Sequence, residues 1–160
     1  MIRFAENVKV LPILASNDIA ATATPSQYVD LRNAHWATLL VNFGDITNVS
    51  ATLTLEASTA GTSNATEVAI PFRYRLTAAV GTDSMGAITS APATGLVLGT
   101  ADDNRTVFVD IDPASIAALG ADYRFVRAVV TPNAANTETN VGIVAVLETR
   151  YPGNAIASAT

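Results

Sequence analysis

The chain reads as an all-β protein: an antiparallel β-sandwich, jelly-roll-like, with one short connecting helix. Three observations predict it. Short runs rich in Val, Ile, Thr, Phe and Tyr recur along the chain, bounded by Gly, Pro, Asn and Asp every ~8–12 residues, the spacing of a sandwich. Only the segment 112–120 carries both a helix start and a helix stop. The most apolar segments, 120–132 and 141–147, flank a polar connection with Pro132, Asn133 and Asn136, the sequence form of an antiparallel hairpin. On this reading Phe125, Val126, Val129 and Val130 meet Val141, Ile143, Val144 and Val146, and the hairpin is the centre of the sandwich.

The elements follow in order. Residues 1–14 are extended, and Pro12 excludes a helix interior, so the segment is an edge strand or an arm laid on a neighbouring subunit. A strand is expected within 19–24 and a short one at 28–31. Residues 35–43 form a strong strand, with Trp36, Thr38, Leu40 and Asn42 facing one way and His35, Ala37, Leu39, Val41 and Phe43 the other. We expect Trp36 to be buried there and His35 to be buried or at an interface. Residues 49–57 alternate as a half-buried strand with one wet face. The loop 58–64 follows, with Gly61 free to take positive φ. Residues 69–76 form a strand that lies at an edge or starts after Pro71, since proline cannot donate to a ladder. The stretch 77–93 is a long loop with a short strand at 87–89, and 96–98 is brief.

A turn at 102–104 leads into a strong strand at 106–111. In the helix, Asp112 serves as N-cap, Pro113 fits the first position and Gly120 fits a left-handed stop. The run 119–125 matches the pattern of a tyrosine corner at Tyr123. Tyr151, Pro152 and Gly153 close the last strand. These elements make roughly eight to ten strands in one domain. The expected organisation is an N-terminal edge strand or arm at 1–14, the sandwich at 15–153 and a C-terminal tail at 154–160.

Composition narrows the function. Hydrophobic residues make up 49% of the chain and charged ones only 14%, against ~25% charged in an ordinary soluble domain. Few charges remain to keep copies of the molecule apart, which points to a surface largely covered in a permanent assembly. No apolar run reaches the ~18 residues of a membrane helix, so no membrane partner is expected. The net charge is −5, Lys9 is the single lysine and the arginines are scattered, which argues against direct nucleic-acid binding. There is no cysteine. The first residues lack a signal-peptide pattern, so synthesis in a cytoplasm, with use there or release by lysis, is expected.

Catalysis is not expected. His35 is the only histidine, and a nucleophile–histidine system needs it beside a reactive hydroxyl and an orienting carboxylate. One histidine and no cysteine make a zinc site a poor fit. Asp102, Asp103, Asp110 and Asp112 read as turn, strand-end and cap residues rather than as a glycosidase pair. With Asn104 they offer oxygen to calcium, but without the spacing of a calcium loop. No cofactor is expected. Residues 81–86 carry glycines but no lysine and open no helix, so they are not a phosphate loop; Met85 suits an adaptable contact. Arg73, Arg75, Arg124 and Arg127 lie on the strands best placed to expose arginines. If they cluster, they pair with acidic groups of a neighbouring subunit; otherwise they are a solvated face.

Several runs carry a family resemblance: 28–31 with 33–37, then 70–76, 101–104, 109–113 and 123–127. Through them the chain, from about residue 5 to 151, resembles small virion proteins of tailed bacteriophages. The resemblance implies a β-rich, non-enzymatic head protein: a capsid decoration or cement protein, often trimeric, seated where major capsid subunits meet. Its partners would be copies of itself and the major capsid protein. The N-terminal arm or the loop 77–95 would reach the neighbouring subunit. A tail or connector component is an alternative within the same resemblance. A second class is a glycan-binding module stacking a sugar on Trp36, Tyr74 or Tyr151, ranked lower because Trp36 is expected inside. A hydrolase using His35 is third.

Overall fold

The structure is a computed structural model describing residues 8–19, 22–47, 50–62, 65–133 and 138–150. Two antiparallel sheets face each other across one core, as the sequence predicts. The strands are β1 (Val8–Asp18), β2 (Thr24–Pro25), β3 (Val29–Asp30), β4 (Ala34–Thr47), β5 (Ser50–Ser58), β6 (Glu67–Ile70), β7 (Phe72–Leu76), β8 (Thr89–Ala91), β9 (Leu96–Gly99), β10 (Thr106–Ile111), β11 (Phe125–Pro132) and β12 (Glu138–Thr149). The first sheet runs β1-β12-β4-β10-β7-β8. The second runs β2-β11-β5-β6, with β3 also on β11 and β9 also on β5.

The core follows from period-two alternation. Leu39, Val41 and Phe43 of β4, Val107 and Val109 of β10, and Ile143 and Ala145 of β12 point inward from the first sheet. Leu53, Leu55 and Ala57 of β5 and Val126, Ala128 and Val130 of β11 answer from the second. The intervening residues face out, including Thr38, Asn42, Glu56 and Arg127.

The expected central hairpin does not form. β11 pairs with β5, β2 and β3, whereas β12 pairs with β1 and β4 in the other sheet. Both strands are apolar because each contributes its inner face to the same core, so they meet face to face rather than edge to edge. The predicted strand at 69–76 also divides. Pro71 supplies no N–H, and there the chain leaves the second sheet at β6 and enters the first at β7. Among the described strands, only the β2–β3, β5–β6 and β7–β8 connections stay within one sheet.

β1 is an edge strand, paired only with β12. It carries Lys9, Pro12 and two register shifts, all of which discourage pairing with another chain. Residues 1–7 of the expected arm and the tail 154–160 lie outside the described residues. So do Asn136 of the expected turn and all of the expected chain closure, Tyr151, Pro152 and Gly153. Among the described residues of the expected 19–24 strand, only Thr24 is in a strand, at the start of β2. The short strand of the long loop falls at β8 rather than 87–89.

The helix, α1 (Pro113–Ala117), starts as predicted, the Asp112 carboxylate accepting from the Ala114 N–H at 2.9 Å. It stops differently. Gly120 N–H donates to the Ala117 carbonyl, and Gly120 sits at φ +158, outside the left-handed well. Nor is Tyr123 a tyrosine corner. Its ring packs against Gly120, and no hydrogen bond from its hydroxyl occurs among the described residues. Gly61 needs no positive φ; the Phe125 ring lies over it, leaving no room for a Cβ without movement.

Candidate functional site

The outer face of the first sheet carries a polar row built by register. Thr38 on β4 lies opposite Asp110 on β10, Asp110 opposite Arg73 on β7, and Arg73 opposite Ser90 on β8. Directly opposed residues share a face with Cβ atoms ~4.5–5.5 Å apart, so these side chains form a continuous line. Thr38 Oγ1 donates to Asp110 Oδ1 at 3.1 Å. One step along β4 on the same face stands Trp36, which is 41% exposed.

This row borders a cleft of about 410 Å³. Its walls include Ile70, Pro71 and Phe72, where the chain changes sheets, and Ile116 of α1. Its polar and aromatic lining includes Trp36, Arg73, Ser90, Asp110, Asp112 and Ser115. Trp36 is therefore exposed, contrary to the burial expected from the sequence. The strand phase held the signal: Trp36 shares its face with Thr38 and Asn42, two polar residues, whereas the alternate set is Ala37, Leu39, Val41 and Phe43. His35 is exposed rather than buried because it is the extra residue at the register shift between the Trp36–Glu148 and Ala34–Thr149 pairs, where Ala34 takes the inward place.

The margin of the same sheet is a projecting loop. Residues 79–90 are all exposed, including Val80 at 77%, Met85 at 41% and Ile88 at 51%. The base of the loop is clamped. Gly86 N–H donates to the Leu76 carbonyl at 2.8 Å, Ala78 N–H to the Ser84 carbonyl, and Arg75 Nε to the Gly86 carbonyl at 3.1 Å. Thr77 and Met85 form an isolated bridge. Arg73, Arg75 and Met85, three of the five residues singled out from the sequence, thus share one margin.

Arg127 lies on β11 of the other sheet and Arg124 immediately precedes that strand, so the four arginines form no single cluster. Arg124 lies 4.7 Å over the Phe125 ring and 4.0 Å from an Asp30 oxygen. Arg127 is largely enclosed. Its Nε donates to Glu56 at 2.8 Å and its Nη2 to Glu67 at 2.6 Å, while the guanidinium carbon sits 4.9 Å over the Tyr28 ring. Tyr28 in turn donates its hydroxyl hydrogen bond to Glu67. Burial alone would lower the Arg127 pKa, but the Glu56 hydrogen bond and the charges of Glu56 and Glu67 raise it. Burial, with the Glu67 hydrogen bond, raises the Tyr28 pKa against the opposing pull of Arg127. Arg127 is thus tied to its own sheet's outer face by the two glutamates and Tyr28. Period-two spacing placed it on the outer face but could not show the carboxylates waiting on β5 and β6.

The aspartates near the 102–112 region are engaged locally. Asp102 accepts from Gly99 N–H and Arg105, Asp103 from Ile46 N–H, Asp110 from Thr38, and Asp112 from Ala114 N–H. Among the described residues no group of three or more His, Cys, Asp or Glu side chains gathers to hold a metal.

No protein-family model matches the chain, and no curated protein matches it. Two solved structures of infectious bursal disease virus align weakly. That of the Gt strain is 12% identical with a TM-score of 0.23, covering 89% of this chain and 36% of that one. That of the Gx strain is 12% identical with a TM-score of 0.23, covering 95% of this chain and 42% of that one. This chain therefore spans less than half the length of either virus chain, and that virus belongs to a different group from the tailed phages.

Proposed function

We propose that this chain is a structural subunit of a virus particle: a tailed-phage capsid decoration or cement protein on the head surface. In this role it self-associates as a homotrimer and binds the major capsid protein. The observation that carries the reading is the margin at 79–90, a clamped projection that holds Val80, Met85 and Ile88 in solvent beside Arg73 and Arg75. Covering apolar surface stabilises a contact by ~25 cal/mol per Å², and the flanking guanidiniums can add bidentate bonds to carboxylates of a partner. The low charge of the chain and its resemblance to phage virion proteins support the same reading.

Sedimentation of the purified protein tests self-association, and co-sedimentation with capsid shells stripped of decoration tests the partner. The expected result is a discrete oligomer that binds assembled shells, with shell binding lost in the Met85→Asp/Ile88→Asp variant while its circular dichroism is unchanged. A monomer that fails to bind shells overturns the proposal. Binding to isolated tails but not to heads would reassign the chain to the tail.

A further inference from the structure

We infer that the cleft beside Trp36 is a saccharide-binding site that takes a neutral pyranose unit, with Trp36 as the stacking platform and Arg73 and Asp110 as the hydroxyl-reading pair. The inference stands independently of any role in a capsid.

The chemistry of the lining selects the ligand class. The volume of about 410 Å³ lies within the ~300–1,000 Å³ range of small-molecule sites. Its charges are mixed: Arg73 brings one positive group, and Asp110 and Asp112 bring two negative ones. A phosphate or other anion would meet two carboxylates, and a strongly cationic ligand would meet the guanidinium. A neutral ligand with both hydroxyls and an apolar face satisfies all of these groups. A sugar hydroxyl donates to a carboxylate and accepts from a guanidinium, so neighbouring hydroxyls can engage Asp110 and Arg73, which are direct cross-strand partners. The C–H face of a pyranose ring is apolar and can lie on an indole, whose polar N–H remains able to bond.

The lining also holds unused hydrogen-bonding capacity. The Arg73 side chain has no hydrogen bond or ion pair among the described residues, unlike that of Arg127 with its two glutamates. Ser90, its neighbour on β8, is exposed and likewise uncommitted. Thr38 fixes one oxygen of Asp110, which orients the carboxylate and leaves the other oxygen for a ligand. The arrangement stands on strands of a packed sheet, so it is preformed.

Trp36 is the only tryptophan in the chain, so selectively excited tryptophan fluorescence, free of the four tyrosines, reports on this cleft. The full chain is screened on a printed glycan array and then titrated with methyl glucoside, methyl galactoside, methyl mannoside and N-acetylglucosamine while Trp36 emission is followed. Array binding and a saturable emission change with at least one of these sugars are expected. Arg73→Ala should weaken that binding by at least about tenfold. Trp36→Ala, measured on the array, should lose it, and Arg124→Ala, just before β11 of the opposite sheet, should leave it unchanged. Circular dichroism establishes that each variant is folded. Three results would overturn the inference: no array hit with no emission change, binding that survives both Trp36→Ala and Arg73→Ala, or binding confined to acidic glycans.

Discussion

Replacing Arg127 with methionine removes the guanidinium while keeping most of the side-chain stem. Arg127 is 14% exposed, and its partners Glu56 and Glu67 are 24% and 23% exposed. Fully exposed pairs contribute ~0–1 kcal/mol, and removing one partner of a fully buried pair costs ~3–5 kcal/mol. The cluster lies between these limits. Two charge-assisted hydrogen bonds are lost, and two carboxylates are left facing each other without their shared cation, so a loss of about 2–3 kcal/mol is expected. For a chain of this size ~1 kcal/mol corresponds to ~2–4 °C, so the melting temperature should fall by roughly 4–12 °C. Urea unfolding followed by far-ultraviolet circular dichroism gives the free energy, and calorimetry gives the midpoint. In Arg127→Met/Glu67→Gln the second change relieves part of the first, with a coupling of about 1–2 kcal/mol. Arg127→Lys keeps the charge but not the planar fork that reaches two glutamates, and should recover only part of the stability. A methionine variant within about 0.5 kcal/mol of the parent would refute the reasoning, because changes of that size are ordinary for exposed positions.

Gly95 sits at φ +102, and a Cβ there would lie 2.7 Å from the Leu53 carbonyl oxygen and 2.7 Å from Thr54 Cγ2. Backbone strain and overpacking together predict a loss of about 2–4 kcal/mol for Gly95→Ala by urea unfolding, and an unchanged midpoint would contradict it. Because the Tyr28 pKa is raised in the folded state, its contribution is fully present below the ordinary tyrosine value of about 10 and is lost as pH rises through the folded value. Tyr28→Phe should therefore be less stable at neutral pH yet show a shallower alkaline decline. Equal slopes for the two proteins between about pH 9 and pH 11 would count against this assignment.

The sequence pattern was most informative where one residue type had one physical meaning. The alternation at 106–111 coincides with β10, and Asp112 followed by Pro113 marks the start of α1. Alternation identifies the inward face of a strand but not its neighbour. β11 and β12 were consequently read as a hairpin, although each lines the core from a different sheet. The site was legible only in parts. Arg73, Arg75 and Met85 could be singled out by type, but their common margin depends on β7 pairing with both β10 and β8. Trp36 shows the limit most clearly: hydrophobicity argued for the interior, while the phase of Thr38 and Asn42 placed it outside. Arg127 looked available for the same reason in reverse, because its glutamate partners lie 71 and 60 residues away in the chain.

The repeated passage of the chain from one sheet to the other has a kinetic consequence. Neither layer consists of one continuous stretch, so neither can assemble first and wait for the second. Folding must close long loops before most pairings are rewarded, which places such topologies in the slow, millisecond-to-second class. The same threading works in reverse: peeling one strand from its layer also drags on the opposite layer, and loss of structure is expected to proceed as a single concerted event.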